Sequence, residues 1–284
     1  MIGSVRAELL RLRRWPALWV LCGSWVVLNL VFGYLFDYLS YRSSDGVGPG
    51  NDGVPPQVLL DGLLPDRVPV TMVQGLPIFG GALLLILGAL AFGSGYGWGT
   101  WKTVFTAGPR RGTAVGGTLA ALGVVVACLT AVTFALDLAA SLAIAAAESA
   151  PLTLPGPLQV VQGLGSGLLI GCMWTGAGML LGTVTRGPAL SVGLGLVWAL
   201  VVENLLRGLA DALGSLHVLT DVLPGTAAGS LVGALGAIPA DDPGGTPGVS
   251  TILGGPAAMA LLVAYLAAFL IAGLALTTRR DLTS

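Results

Sequence analysis

Six apolar runs with almost no charge divide this chain, and they limit its possible folds more than any other feature. A helix needs about 20 mostly apolar residues to cross the hydrocarbon core of a bilayer. Lipid offers no hydrogen-bond partners, so a crossing segment must satisfy its own backbone groups, as a helix does. The runs therefore predict an all-α polytopic membrane protein with six transmembrane helices. They lie at about residues 17–36, 76–96, 113–136, 160–183, 189–206 and 256–276.

The composition supports a membrane rather than a water-facing protein. Charged residues make up 10% of the 284, against about 25% in a typical soluble domain. So few charges cannot cover a water-facing surface, and the 44 glycines suit close packing of helices in a bilayer. We expect residues 1–284 to form a single transmembrane domain surrounded by membrane lipid, with no nucleic-acid partner. The bias toward alanine, glycine, leucine, valine and arginine favours a bacterial source.

Residues 1–16 have the pattern of an amphipathic helix lying on the membrane surface. Apolar residues recur there at helical spacing, arginines are interleaved with them, and Pro16 ends the pattern. The apolar residues are Ile2, Val5, Leu9 and Leu12, and the basic residues are Arg6, Arg11, Arg13 and Arg14. The run that follows is longer than the core of a cleavable signal peptide, which has about 7–15 residues, and no A-x-A site closes it. We therefore interpret it as the first span.

Two segments between the spans are long. Residues 37–69 are rich in glycine, proline and aspartate, which predicts an irregular loop. Residues 208–255 contain leucine and alanine runs that are too apolar for a solvated loop and too interrupted by proline and glycine to span. This pattern predicts a re-entrant or interfacial pair of short helices before the last span.

The basic residues predict the orientation. Ten of the 13 lie at the two termini or in the second-to-third and fourth-to-fifth connections, which share one side of a six-span protein. Cytoplasmic loops carry an excess of lysine and arginine. Both termini are therefore predicted to lie in the cytoplasm of a multi-pass protein in the bacterial cell membrane.

Motifs that carry enzyme chemistry are absent from the sequence. It has no G-x-x-x-x-G-K-[ST] loop to cradle a nucleotide, and its single histidine, His217, excludes an H-E-x-x-H site and disfavours a Ser-His pair. Cys22, Cys128 and Cys172 lie within apolar runs without metal-ligand spacing, so they are predicted to be buried and inert. We expect no catalytic, cofactor or metal site in this chain.

The connection between the second and third spans carries the most informative motif, in residues 95–112. It combines aromatic residues, small residues, a short helical stretch at residues 100–106 and a basic turn. The stretch resembles the cytoplasmic loop of ABC-2-type permeases, although Gly95 stands where that family usually has glutamate. The residues of this predicted ATPase-coupling loop are Tyr96, Trp98, Gly99, Thr100, Trp101, Lys102, Thr103, Phe105, Pro109, Arg110 and Arg111.

Other parts of the chain resemble the same family in the same order. They are Glu8 to Trp15 before the first span, Glu203-Asn204-Leu205-Leu206 at the end of the fifth, Leu223-Pro224-Gly225 before the last, and Arg279-Arg280-Asp281 at the end. The resemblance implies a half-transporter that dimerises with a second copy or a paralogue. It also implies a separate cytoplasmic ABC ATPase chain that binds ATP and magnesium, and it leaves the substrate and the choice of homodimer or heterodimer open.

Two polar residues within the spans are candidates for the translocation path. Glu203, near the end of the fifth span, and Asn29, in the first, would cost free energy in lipid unless they are paired or hydrated. Gln74 and Asp137 carry weaker signals of the same kind. An interfacial position for Glu203 is the structural alternative. A row of small residues in the fourth span, which includes Gly163, Gly167, Gly171, Gly178 and Gly182, predicts close helix packing.

Two other functions compete with an ATP-driven exporter. A secondary transporter or channel usually carries ionisable groups at the bilayer midplane, and spans almost without charge argue against one. A membrane anchor or regulatory subunit without a transport path is compatible with the sequence, although six spans and a re-entrant segment exceed what anchoring needs.

The orientation can be tested by cysteine labelling in intact cells, with the native cysteines removed. A cysteine at Ser44, in the first outer segment, is expected to react with a membrane-impermeant reagent. A cysteine at Thr106, in the basic connection, should react only after the cells are opened. Labelling of Thr106→Cys from outside intact cells would reverse the predicted orientation.

Overall fold

The six predicted spans are present. The structure, a computed structural model, describes residues 2–43, 54–97, 99–100, 111–213 and 217–279. Every regular element in these residues is helical, and six helical segments are long and apolar enough to cross a bilayer. The spans are Pro16–Arg42, Pro65–Gly97, Gly112–Ala147, Pro157–Thr185, Pro188–Leu209 and Gly255–Thr278.

The described α-helices are numbered in chain order. They are α1 (Ile2–Arg13), α2 (Pro16–Leu30), α3 (Phe36–Arg42), α4 (Pro56–Gly62), α5 (Val68–Gln74), α6 (Gly81–Gly97), α7 (Arg111–Ala147), α8 (Pro157–Thr185), α9 (Pro188–Leu196), α10 (Glu203–Leu213), α11 (His217–Thr220), α12 (Pro224–Ala234) and α13 (Gly255–Arg279). The π-helical turns Val31–Leu35, Leu76–Gly80 and Val197–Val202 lie within the first, second and fifth spans, and a 3₁₀ turn at Pro65–Arg67 precedes α5. The α1 helix agrees with the helix predicted at residues 1–16.

Prolines begin several of these helices. Pro16, Pro157, Pro188 and Pro224 each occupy the first position of a helix, where the missing N–H would have no partner and the fixed φ already suits a helix. Arg186 ends α8 in the left-handed conformation, with φ of 55°, a common way to close a helix. Only a short turn therefore separates α8 from α9, which begins the fifth span.

The second and fourth spans form the centre of the bundle, and glycines bring their backbones together. A methyl group on Gly88 would overlap the carbonyl oxygen of Thr175, and one on Gly178 would overlap that of Leu85. Gly182 in turn lies against the carbonyl oxygen of Ala89. This is the small-residue packing that membrane helices use in place of hydrophobic burial. It confirms the packing role predicted for Gly178 and Gly182.

The outer spans present apolar side chains to their surroundings. Trp19, Val201 and Ile271 are each more than half exposed, as expected where lipid is the solvent. Cys128 is also exposed, while Cys22 and Cys172 are partly buried. The prediction that all three cysteines are buried is therefore wrong for Cys128, because an apolar helix in lipid does not have to bury every face.

The segment 37–69, predicted as an irregular loop, is largely helical where it is described. The first span continues through α3 to Arg42, and α4 and a 3₁₀ turn precede the second span. Pro56 begins α4, and Pro65 begins the 3₁₀ turn. Prolines in the first turn start helices rather than break them, and this is why the loop prediction was wrong.

The third span also extends beyond its predicted end at residue 136. The α7 helix continues to Ala147, because Asp137 is buried between helices instead of ending the span at the membrane surface. A single carboxylate in an apolar run therefore marks the interior of this helix.

The predicted re-entrant segment contains a helix enclosed by protein. In α12, the residues from Pro224 to Val232 are all buried, and the helix packs against α13, α5 and the π-helical turn of the second span. Gly229 lies directly under the carbonyl oxygen of Gly248. With 11 residues, α12 is about 16 Å long. It is therefore too short to cross a bilayer but long enough to fill the space between the second and sixth spans.

The central glycine packing gives a first structural test with a matched control. Gly178→Ala should lower the thermal stability of the purified protein, because the added methyl pushes the second and fourth spans apart. Overpacking of this kind costs about 1–3 kcal/mol. Gly165→Ala lies on the same helix, where nothing is within 4 Å of an added methyl. It should leave the melting temperature unchanged or raise it slightly, and equal losses in both variants would contradict the packing role of Gly178.

Candidate functional site

A row of polar contacts joins the first span to the third, and we call it the polar ladder. Trp25 Nε1 donates to Thr133 Oγ1 at 3.0 Å, Asn29 Nδ2 donates to Asp137 Oδ1 at 2.7 Å, and Ser141 Oγ donates to the Tyr34 hydroxyl at 3.3 Å. At its outer end, Tyr38, Tyr41 and Arg42 contact Glu148. The residue numbers rise together on both sides. The two spans therefore run parallel, as the first and third spans of a multi-pass chain must.

A π-helical turn keeps the ladder on one face of the first span. On α7 the contacting residues Thr133, Asp137 and Ser141 are four apart, but the step from Asn29 to Tyr34 is five. The turn Val31–Leu35 takes up the extra residue, because a π turn repeats its contacts at i and i+5. In a regular α-helix, Gly33 would follow Asn29 on this face, and the phenol of Tyr34 would point elsewhere.

Asp137 is the unusual member of the ladder. Its side chain has no exposed surface, its Oδ1 accepts the hydrogen bond from Asn29, and its Oδ2 has no hydrogen-bond partner among the described residues. The ion pairs found in the described part of the chain do not include it. A carboxyl group is thus held inside the membrane by a single neutral donor.

The outer end of the ladder is a single carboxylate, Glu148, with two phenol donors and one guanidinium around it. Glu148 lies directly beyond α7, accepts hydrogen bonds from Tyr38 and Tyr41, and pairs with Arg42 at 3.3 Å. The hydrogen bond from Tyr38 does most to hold the pKa of Glu148 below its ordinary value, and partial burial opposes it. The side chain of Arg42 is 62% exposed, so solvent screens this pair and its energy is small.

Glu203 is also buried, with no exposed surface, but its carboxylate is well satisfied. Oε2 accepts from the backbone N–H of Gly225 at 2.9 Å and lies 3.9 Å from the guanidinium of Arg207. Oε1 accepts from Trp198 Nε1 at 2.9 Å. Trp198 and Glu203 are five residues apart, and the π-helical turn Val197–Val202 lies between them. Here too a π turn brings polar partners together.

The hydrogen bond from Gly225 to Glu203 caps the N-terminus of α12 with a side chain from the fifth span. The first residues of α12 have no side-chain cap of their own, since Leu223 precedes Pro224 there. A carboxylate at a helix N-terminus accepts orphan N–H groups and interacts favourably with the helix dipole. Any side chain at position 225 would overlap the carboxylate of Glu203, so glycine is required for this approach. Glu203 therefore fixes the re-entrant helix to the fifth span.

Part of the predicted coupling region is described. Tyr96 packs against the core one residue before the end of the second span. Gly99 and Thr100 are also described, and Gly99 has a φ of 68°. Arg111 begins α7, although its side chain lies outside the described residues. The other predicted coupling residues also lie outside them, namely Trp98, Trp101, Lys102, Thr103, Phe105, Pro109 and Arg110.

The surface helix α1 packs beside the end of this loop. Ser4 Oγ donates to the backbone carbonyl of Thr113 at 3.3 Å, and Gly117 lies directly under Ser4. Leu12 is fully buried. Trp19 Nε1 donates to the carbonyl of Arg13 at 2.8 Å, which satisfies an orphan acceptor at the end of α1. The basic N-terminal helix and the start of the third span are thus one packed unit.

The sequence indicated only part of these sites. Asn29 and Glu203 were predicted to line a translocation path, which stays a prediction, and both are buried in contacts between helices. The partners Tyr34, Thr133 and Ser141 were missed. Thr133, Asp137 and Ser141 repeat every four residues on one face of an otherwise apolar helix, and this spacing was the available signal.

No protein-family model matches the chain, and no curated protein matches it. The class is therefore defined by the fold alone, which is that of a multi-pass α-helical membrane protein.

The capping role of Glu203 predicts a large effect from one substitution. Glu203→Ala leaves the buried N–H group of Gly225 without a partner, at about 1–3 kcal/mol, and removes the acceptor of the partly exposed Trp198 indole. We expect a lower melting temperature and faster hydrogen exchange in α12. Glu203→Gln retains an acceptor and should lose less. Asn204→Ala, at the exposed neighbouring position, is the control, and a similar loss in this variant would argue against a specific cap.

Proposed function

We propose that the chain is the membrane-spanning permease subunit of an ATP-driven exporter and works with a separate cytoplasmic ATPase chain. The observation that carries the proposal is the packing of α1 against the start of α7, with Ser4 in contact with Thr113. It sets the basic surface helix beside the end of the loop whose residues 95–112 resemble the ABC-2 coupling region. Two features that resemble one family in sequence thus adjoin in space.

The orientation fits this role. The excess of arginine at the termini and in the connections on the same side indicates that α1 and the coupling loop face the cytoplasm of a bacterial cell. A soluble ATPase in the cytoplasm could therefore bind to α1 and the coupling loop. ATP and magnesium would bind to that partner, since this sequence contains no nucleotide-cradling loop.

The proposed mechanism transmits motion along helices. Residues 100–106 dock in a groove on the ATPase, and closure of the ATPase around ATP displaces them. The helix α7 begins at Arg111, separated from this segment by residues 107–110, and its 37 residues extend about 55 Å. A continuous helix of that length carries a displacement at its cytoplasmic end across the membrane as a rigid-body tilt. ATP drives the change only through contacts that differ between the two states.

Two permease copies, or one copy and a paralogue, would enclose the path for the substrate. The resemblance carries this part of the proposal. The buried positions of Glu203 and Asn29 place them at helix contacts that would have to rearrange when the spans tilt.

A second candidate is a secondary transporter, and one observation favours it. Asp137 is a buried carboxyl group within a membrane span, the kind of residue that marks an ion or proton site in such proteins. The two candidates differ in their need for an ATPase, so a partner experiment separates them.

The coupling proposal predicts the outcome of a paired substitution. Trp101 and Phe105 are four apart and would share one face of a helix, and truncating an aromatic anchor in a pocket costs about 2 kcal/mol or more. Trp101→Ala with Phe105→Ala should leave the permease inserted and abundant in the membrane but remove co-purification of the ATPase. Expression and pulldown are measured in the same preparation.

The control removes two aromatic rings of similar size elsewhere. Phe32 and Phe79 stack at 6.1 Å and are both about half exposed. Phe32→Ala with Phe79→Ala should retain the ATPase. An active complex that carries both loop substitutions would contradict the coupling role. Purification of the wild-type chain from its native membrane without any ATPase would instead favour the secondary transporter or the anchoring subunit.

A further inference from the structure

Asp137 lies deep in the membrane. Its partner Asn29 occupies the middle of the first span, Pro16–Arg42, about 20 Å from either end at about 1.5 Å per residue. The 2.7 Å hydrogen bond from Asn29 therefore holds the carboxyl group of Asp137 near the centre of the bilayer. The remaining oxygen, Oδ2, is buried and has no partner among the described residues.

The charged and titratable groups around this pair do not neutralise it. Tyr34 lies one turn along the first span and is close enough to interact electrostatically with Asp137. Its phenol is neutral at ordinary pH, so it supplies no opposite charge. Asp66 and Arg67 lie in the 3₁₀ turn that packs on α7, and the guanidinium of Arg67 approaches Gly236 instead. Glu148 lies three helical turns further out along the chain.

The other helices that pack on α7 add no charge at this depth. The fourth span, Pro157–Thr185, and the sixth, Gly255–Thr278, contain no acidic or basic residue. The helix α1, which carries charged side chains, packs on the opposite end of α7, where Ser4 contacts Thr113. The described surroundings of Asp137 are therefore apolar or neutral.

An ionised carboxylate is costly in such a place. Removing one from water without a paired cation is strongly unfavourable, and a single amide donor offsets only a part of this cost. Binding a proton removes the charge. The side chain of Asn29 suits either form, because its NH₂ group donates to a carboxylate and its carbonyl oxygen accepts from a carboxylic acid after the amide turns over.

A metal cation would require a different arrangement. Hard cations gather several oxygen ligands around one point, whereas one oxygen of Asp137 contacts a single side chain and the other contacts none among the described residues. The described residues also contain no cluster of three histidine, cysteine, aspartate or glutamate side chains. The geometry therefore favours the smallest ligand, the proton.

We propose that Asp137 and Asn29 form a proton-binding site within the membrane, with one proton held on the carboxyl group of Asp137 while the first and third spans are in contact. Loss of the proton places a charge between the two spans and loosens their contact. The site thus makes the pairing of these spans sensitive to pH. This inference goes beyond the proposed function, because it requires no ATPase.

Infrared spectroscopy tests the site on the full chain in lipid nanodiscs. A protonated carboxylic acid has a C=O stretch well separated from the bands of a carboxylate. Asp137 and Glu203 are the fully buried carboxyl groups among the described residues, so labelling aspartate alone with ¹³C separates them. We expect a ¹³C-shifted acid band at neutral pH that declines as the pH is raised. It should be absent from Asp137→Asn and retained in the control Asp61→Asn, at an exposed position in α4.

The thermal stability gives a second reading of the same site. A proton bound in the folded state contributes stability at low pH, and this contribution is lost as the pH rises from the ordinary pKa of aspartate, about 3.9, to the range in which the acid band declines. Asp137→Asn, which is isosteric and always neutral, should remove this part of the decline. Asp61→Asn should retain it.

Two results would overturn the proposal. One is the absence of a ¹³C-shifted acid band from the wild-type protein at neutral pH, which would show that Asp137 is ionised. The other is loss of the band on adding sodium chloride at constant pH, which would show that a cation occupies the site. Both are read on the wild-type protein, so the conclusion stands even where Asp137→Asn fails to fold. Neither depends on whether an ATPase co-purifies.

Discussion

The rest of this structure depends on the contact between the second and fourth spans. Lipid is as apolar as leucine, so these helices gain little from burying apolar surface against each other and rely on close packing instead. Glycines at positions 88, 178 and 182 let the two backbones meet. Trp174, Met179 and Phe92 fill the core around this contact. The other spans pack on the outside of the pair, with apolar side chains exposed.

Two carboxyl groups are fully buried among the described residues, and their surroundings compensate the charge to different degrees. Glu203 accepts from a backbone N–H and an indole N–H and lies near a guanidinium, so its charge is compensated. Its position fixes the re-entrant helix to the fifth span. Asp137 has one neutral donor and one oxygen without a described partner. Because its compensation is incomplete, Asp137 is the better candidate for a group that changes state.

The π-helical turns connect these features. The turn Val31–Leu35 brings Tyr34 into the polar ladder, and the turn Val197–Val202 brings Trp198 next to Glu203. The third turn, Leu76–Gly80, lies where Gly80 approaches the ring of Trp25 and where α12 packs. Each turn disturbs a regular helix at a point where a polar side chain or a close contact needs a different register.

The sequence by itself determined the number of spans, the surface helix at the N-terminus and the short helix before the last span. These follow from the length of apolar runs and from helical periodicity, which are local properties. It did not determine that Asp137 lies inside a helix, that Glu203 caps Gly225, or that the prolines at 56 and 65 begin helices. Each of these depends on partners more than 20 residues away, or on whether a proline enters a helix at its first turn or its interior. Only the tertiary structure decided them, because the free energy of a buried polar group depends on the groups that surround it.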